Sequence, residues 1–263
     1  MGLFDKFKKK KNELEQNKDT KGGFVGFVLL SDESWDKEQL KSDLQMDWGL
    51  DAAGDDDTIE ENLVFQVGDM MAVIGFMNIP VPNGEAEQNA VSNYMWPQAV
   101  ETAKAHQAHL MVAVLGTEPD LLEKGKLFVK LLACCCKQQN AMGVYDSGTV
   151  FEPRFYIAGA EMMKSGDLPL INWIWFGLYR REGGVCCYTC GMERFGKTEM
   201  EVLDANGQPS EVRNFLLDLV SYVLESDVTL HDGETIGFSA EDKHTIAHSE
   251  GVSLPGVTLK ISY

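Results

Sequence analysis

Three things are scarce in this sequence: long apolar runs, positive charge beyond residue 21, and any arrangement of residues that signs a known chemistry. No apolar run approaches the roughly 18 residues a membrane-spanning helix needs. The nearest, Leu168 to Tyr179, is broken by Pro169, Asn172 and Gly177. The N-terminus has no apolar stretch ahead of a small-residue cleavage site, so no export signal is read and the chain is expected to stay in the cytoplasm. The six cysteines are clustered, at Cys134, Cys135 and Cys136 and at Cys186, Cys187 and Cys190. Disulfide frameworks spread their cysteines so that each bridge closes a loop, and clusters such as these suit a reducing compartment.

Catalytic and metal signatures are missing as well. There is no G-x-S-x-G elbow, no P-loop and no G-x-G-x-x-G turn. Cys187-x-x-Cys190 has the spacing of half a zinc site without its second pair. On a strand its two thiols sit an odd number of residues apart and point to opposite faces. His244-x-x-x-His248, read as a strand, sets two imidazoles on one face about 13 Å apart, too far to share an ion. The acidic loop Asp51 to Asp57 resembles a calcium loop only in charge, because Ala53 stands where a third-position ligand is needed and Gly54 is two positions early. No catalytic residue, metal or cofactor is assigned from the sequence.

What is present is a globular composition, 44% hydrophobic and 10% aromatic over 263 residues, enough for one large domain or two ordinary ones. The net charge is −18. It is unevenly placed: residues 1–21 are locally basic, at +3, and the stretch Asp32 to Glu61 holds twelve acids against Lys37 and Lys41. Such a surface repels phosphate backbones, so no nucleic-acid partner is expected. It attracts a basic protein, or simply keeps the chain soluble.

Residues 1–21 read as a flexible basic leader. Leu3, Phe4 and Phe7 share a helical face beside Lys6 and Lys8 to Lys11, a pattern open to a short interfacial anchor. The myristoylation motif fails at Lys6. Residues 22–139 and 140–263 read as two α+β units. In the first, strands are expected at 24–30, 63–67, 71–77 and 110–115, with Gly68-Asp69 as a two-residue hairpin turn and helices from about Trp35, Pro97 and Thr117. In the second, 142–145 is a strand and Pro153 opens a helix. Residues 170–179 pair with 185–190, and Pro209 opens a helix whose Val212, Phe215, Leu216, Leu219, Val220 and Val223 form one buried stripe. Each half reads roughly strand–helix–hairpin–helix–strand. The expected fold class is therefore α+β, with two ferredoxin-like (split βαβ) units open to sharing one sheet.

The run Ile171 to Tyr179 is the most suggestive feature. As a strand it puts Trp173, Trp175 and Tyr179 on one face and Ile174, Phe176 and Leu178 on the other. The ordinary reading is a central strand covered on both sides. The functional reading is that the aromatic face meets a partner. Candidate partner-binding residues are thus Trp173, Trp175 and Tyr179, with Asp51, Asp55, Asp56 and Asp57 from the acidic loop. The expected function is a non-enzymatic protein-binding module for a basic partner. The alternatives are an enzyme built from scattered carboxylates and histidines, or a structural homo-oligomer joined through sheet edges or the aromatic face.

The last third carries a family resemblance. Gly191-Met-Glu-Arg-Phe-Gly-Lys-Thr-Glu-Met-Glu201, the helix at 209–224 and Leu230-His-Asp-Gly-Glu-Thr-Ile-Gly237 resemble an uncharacterised bacterial family, domain of unknown function 4261. That family has no established activity, so the resemblance brings no catalytic residue. Its occurrence near toxin genes implies an immunity-like role as an analogy.

Overall fold

A computed structural model describes residues 21–52, 61–116, 120–237, 239 and 243–263. Of the leader only Lys21 falls within them. Asp55, Asp56, Asp57 and the Thr117 helix start lie outside. The described strands form two six-stranded sheets. No helix among the described residues is long and apolar enough to cross a membrane.

The first sheet contains β1 (Phe24–Leu30), β2 (Asn62–Val67), β3 (Met70–Met77), β4 (Ala108–Leu115), β5 (Ala141–Asp146) and β6 (Thr149–Phe151), in the order β2-β3-β4-β1-β5-β6. Its pairs are antiparallel, and the hairpin turn falls at Gly68 and Asp69 between Val67 and Met70. The split βαβ order would set β1 between β3 and β4. Here β4 lies between β3 and β1, and β1 itself is apolar on both faces. Phe24, Val28 and Leu30 join the main core, while Phe27 and Leu29 join a smaller cluster with Ala86, Ala90, Ala99 and Ala103. Such a strand needs cover on both sides. Helix α4 (Leu121–Cys135) packs on one face of β1 and β4. The other face meets the small residues of α2 (Glu85–Ala90) and α3 (Ala99–Ala105). Gly26 lets α4 come close, since a Cβ there would lie 2.9 Å from Phe128. Helix α1 (Lys37–Trp48) starts two residues later than expected, with Asp36 as its cap, and packs on α4. The sequence reading passed over α2 and β6.

The second sheet contains β7 (Trp175–Arg181), β8 (Gly184–Cys190), β9 (Met200–Ala205), β10 (Thr235–Ile236), β11 (His244–Glu250) and β12 (Val257–Ile261), in the order β10-β11-β12-β9-β8-β7. Only the β12–β9 pair is parallel. Helix α7 (Pro209–Glu225) lies against β7, β8 and β9 and buries the expected stripe. Helices α5 (Pro153–Glu161) and α6 (Leu170–Trp173) connect the two sheets. The shared sheet is not formed. Edge strands β6 and β7 approach through the rings of Phe151 and Trp175, 5.8 Å apart, without hydrogen-bonding. The main core nonetheless runs through both halves. Phe24, Phe128, Phe195 and Trp173 form a continuous aromatic contact between them, with Trp173 and Phe195 4.8 Å apart.

Candidate functional site: an aromatic cleft at the edge of the second sheet

The run Ile171 to Tyr179 does not fold as one strand. Pro169 starts a helical turn, α6, and the chain becomes extended only from Ile174. Trp173 therefore leaves the strand face and sinks into the core, 1% exposed against Gly125 and Phe195. It cannot meet a partner. Trp175 and Tyr179 stay on β7. Between them Gly177 has no side chain, and the Tyr188 ring fills that space. Tyr179 is half-buried, with its hydroxyl 3.0 Å from Ser253.

Trp175 lines an open cleft where β6 and β7 face each other. Phe151, Phe155, Ile171, Ile174, Phe176 and Leu217 line it, with Tyr94 and Met95 leaning over from a loop. The Tyr94 ring lies 5.2 Å from Trp175. Asn93 builds that loop: its carbonyl accepts from the N–H groups of Met95 and Trp96, and its amide donates to Val150 O on the outer edge of β6. Tyr94 and Met95 are exposed by 42% and 41%, an apolar rim of the kind that marks interaction sites. The one charged lining residue is Arg213 of α7. Burial raises the pKa of the Tyr94 hydroxyl, and the neighbouring guanidinium opposes the rise.

Among the described residues, no acid of the stretch 32–61 lines this cleft. Several hold structure instead. Asp36 caps α1, Asp32 accepts from Asn140, and Asp47 pairs with Lys137, which also lies 4.0 Å from the buried Asp43. Asp51 is exposed.

The charged residues of the Gly191 to Glu201 run are framework too. The Arg194 guanidinium reaches through the interior to Asp146 of β5, 2.6 Å away. Ser147 N–H and the Tyr156 hydroxyl also donate to that carboxylate. Burial pushes the Asp146 carboxyl above its usual range against the pull of Arg194. Glu199 is buried and accepts from Thr189 Oγ1 at 2.6 Å and Gly191 N–H at 2.7 Å. Burial raises its pKa while those bonds lower it. Glu201 accepts from Val252 and Ser253 N–H, Thr258 Oγ1 and Lys260 Nζ. Burial works against its charge, yet the Lys260 contact and the backbone donors bring the carboxyl down to about 2. It clamps the β11–β12 loop onto the sheet.

His244 and His248 lie on β11 and Cys187 and Cys190 on β8, in the strand settings their spacing suggested. His106 and His109 are buried structural residues. Val81 N–H donates to His106 Nε2, and His109 Nδ1 contacts Ile79 O. No cluster of three or more His, Cys, Asp or Glu among the described residues is arranged to hold a metal ion.

Sequence reasoning reached Trp175 but missed Tyr94, Met95, Phe151, Phe155 and Arg213, which four distant segments contribute. One signal was available: all five arginines of the chain fall within positions 154 to 213, in a protein otherwise short of positive charge.

The molecule is thus an α+β protein of two mostly antiparallel sheets with an aromatic cleft at one sheet edge. Residues 188–262, from the end of β8 through β12, match the model of a domain of unknown function (DUF4261). No curated protein and no solved structure matches the chain.

Proposed function

We propose that this chain is a non-enzymatic protein-binding module that engages a partner with acidic and aromatic surface, in the manner of an immunity protein. The observation that carries the reading is the open cleft of Tyr94, Met95, Phe151 and Trp175, rimmed by exposed apolar side chains. Aromatic side chains grouped in this way are the residue types that dominate binding hot spots. The single charged lining group is a guanidinium, which stays protonated and does no acid–base work near neutral pH. The buried carboxylates that an enzyme would recruit, Asp146, Glu199 and Glu201, already hold internal partners. The negative shell favours encounter with a partner of net positive charge, a long-range effect that added salt screens. The cytoplasm suits the six unbridged thiols.

The test is capture from a lysate of the source cell by immobilised full-length chain, beside a Tyr94→Ala/Met95→Ala variant. A specific partner should be retained at low ionic strength, fade with added salt, and fall by roughly tenfold with the variant. Capture indifferent to the two substitutions, or none at all, sinks the reading. A scattering mass of a dimer that the double variant dissociates would move it to the homo-oligomer instead.

A further inference from the structure

We infer that the cleft and the outer edge of β7 together form a strand-addition site for an extended segment bearing carboxylates, presented by a partner protein. The inference rests on the protein-binding reading above and specifies the chemistry of the docked segment.

The first observation is an asymmetry between the two edges that meet at the cleft. On the β6 side the three-residue edge is capped at its middle, because Asn93 donates to Val150 O, while Ser92 donates to Gly148 O in the preceding turn. β7 is the last strand of its sheet, and among the described residues its outer edge has no backbone partner. An extended peptide adds to such an edge through main-chain hydrogen bonds, and pockets beside the edge select its side chains. The cleft lies at the N-terminal end of this edge, with Ile174, Trp175 and Phe176 all lining it.

The second observation is the placing of arginine. Of the five, Arg194 is buried against Asp146 and Arg181 is paired with Asp204. Arg154, Arg180 and Arg213 have no carboxylate partner among the described residues, in a chain whose acids outnumber its bases 41 to 23. Arg213 lines the cleft, Arg154 precedes the lining residue Phe155, and Arg180 stands at the far end of β7 on the same face as Phe176. Guanidinium forks match carboxylates in both geometry and charge. Charges on an edge strand also repel edges of like sign, so an arginine-bearing edge turns away a basic strand and admits an acidic one. The negative field of the rest of the molecule does not contradict this. It selects a partner that is basic as a whole, while contacts within a Debye length decide which segment of that partner docks.

The probe is fluorescent acetyl-Glu-Phe-Glu-Leu-Glu-Phe-amide, titrated with the full chain and read by polarisation. It should bind. Its analogue with Lys for Glu, and its backbone N-methylated analogue, should each bind roughly tenfold more weakly. The Arg180→Ala/Arg213→Ala variant should lose a similar factor while its thermal unfolding stays that of the parent. Equal binding of the Lys peptide, indifference to N-methylation or to the double variant, or no binding of the acidic peptide overturns the inference. If capture of a partner still depends on Tyr94 and Met95 in any of those cases, the protein-binding reading survives and only the acidic strand is withdrawn.

Discussion

A carboxylate that water cannot reach is kept charged by its donors alone. Glu201 is the clearest case: its side chain is wholly inaccessible, and two N–H groups, a hydroxyl and an ammonium converge on it. Glu201→Gln keeps the shape and removes the charge, and should cost about 1–3 kcal/mol in urea unfolding at neutral pH. The sign with pH follows from the folded pKa of about 2. A depressed carboxyl contributes stability that is fully present above its unfolded value and is lost as pH falls through the folded one. The gap between wild type and variant should therefore narrow from near pH 4.5 downward; a gap that stays constant to pH 2.5 would refute the assignment. The cysteines make a second test. Burial pushes the Cys134 and Cys187 thiols up to about 12, and all six are unbridged. Native protein treated with iodoacetamide at pH 8 should show little labelling by mass spectrometry, and denatured protein should take up six adducts. The unbridged thiols were open to sequence reasoning, since clustered cysteines suit a reducing compartment. The roles of Arg194, Glu199 and Glu201 were not. Asp146 lies 48 positions from Arg194 and Lys260 lies 59 from Glu201, and a charged residue in a sequence motif looks the same whether it reaches outward or inward.

At the scale of elements, the divergence between pattern and structure is concentrated at Ile171 to Tyr179. Alternation alone gives one continuous strand, but Pro169 supplies the helical start and the break comes at Ile174. Two residues assigned to one face then take different fates, Trp173 in the core and Trp175 in the cleft. Helix α7 was legible because it is long, begins with Pro209 and keeps a period of 3.6 over its whole length. The three residues of β6 and six of α2 were too short to carry a period. Gly177 tests the packing of β7. A methyl group there would meet the Tyr188 ring at 2.1 Å, so Gly177→Ala must displace that ring from between Trp175 and Tyr179. The expected cost is about 1–3 kcal/mol in chemical denaturation, with a change in tryptophan fluorescence. A neutral substitution with an unchanged spectrum would contradict the packing described.

Over the whole molecule, the two sheets are separate in hydrogen bonding but joined by one core and by the buried Asp146–Arg194 pair. Arg194→Ala leaves Asp146 without its counter-charge and should cost about 3–5 kcal/mol. Unfolding should also be a single transition, with tryptophan fluorescence and far-ultraviolet circular dichroism coinciding along a urea titration. Two separated transitions would mean that each sheet stands alone. Sequence reasoning gave the α+β class, and the first sheet's strand order departs from the split βαβ plan it suggested. Order depends on which strands need cover on both faces, and that is settled by neighbours far along the chain. The stretch that recurs in the family model opens at Tyr188, inside the strand Gly184–Cys190. Its first strand is half missing, its neighbour β7 lies upstream, and Arg194 within it points at an aspartate of the other sheet. In this chain the matched stretch is therefore not self-sufficient: it borrows a flanking strand and an acid for its arginine from residues that precede it.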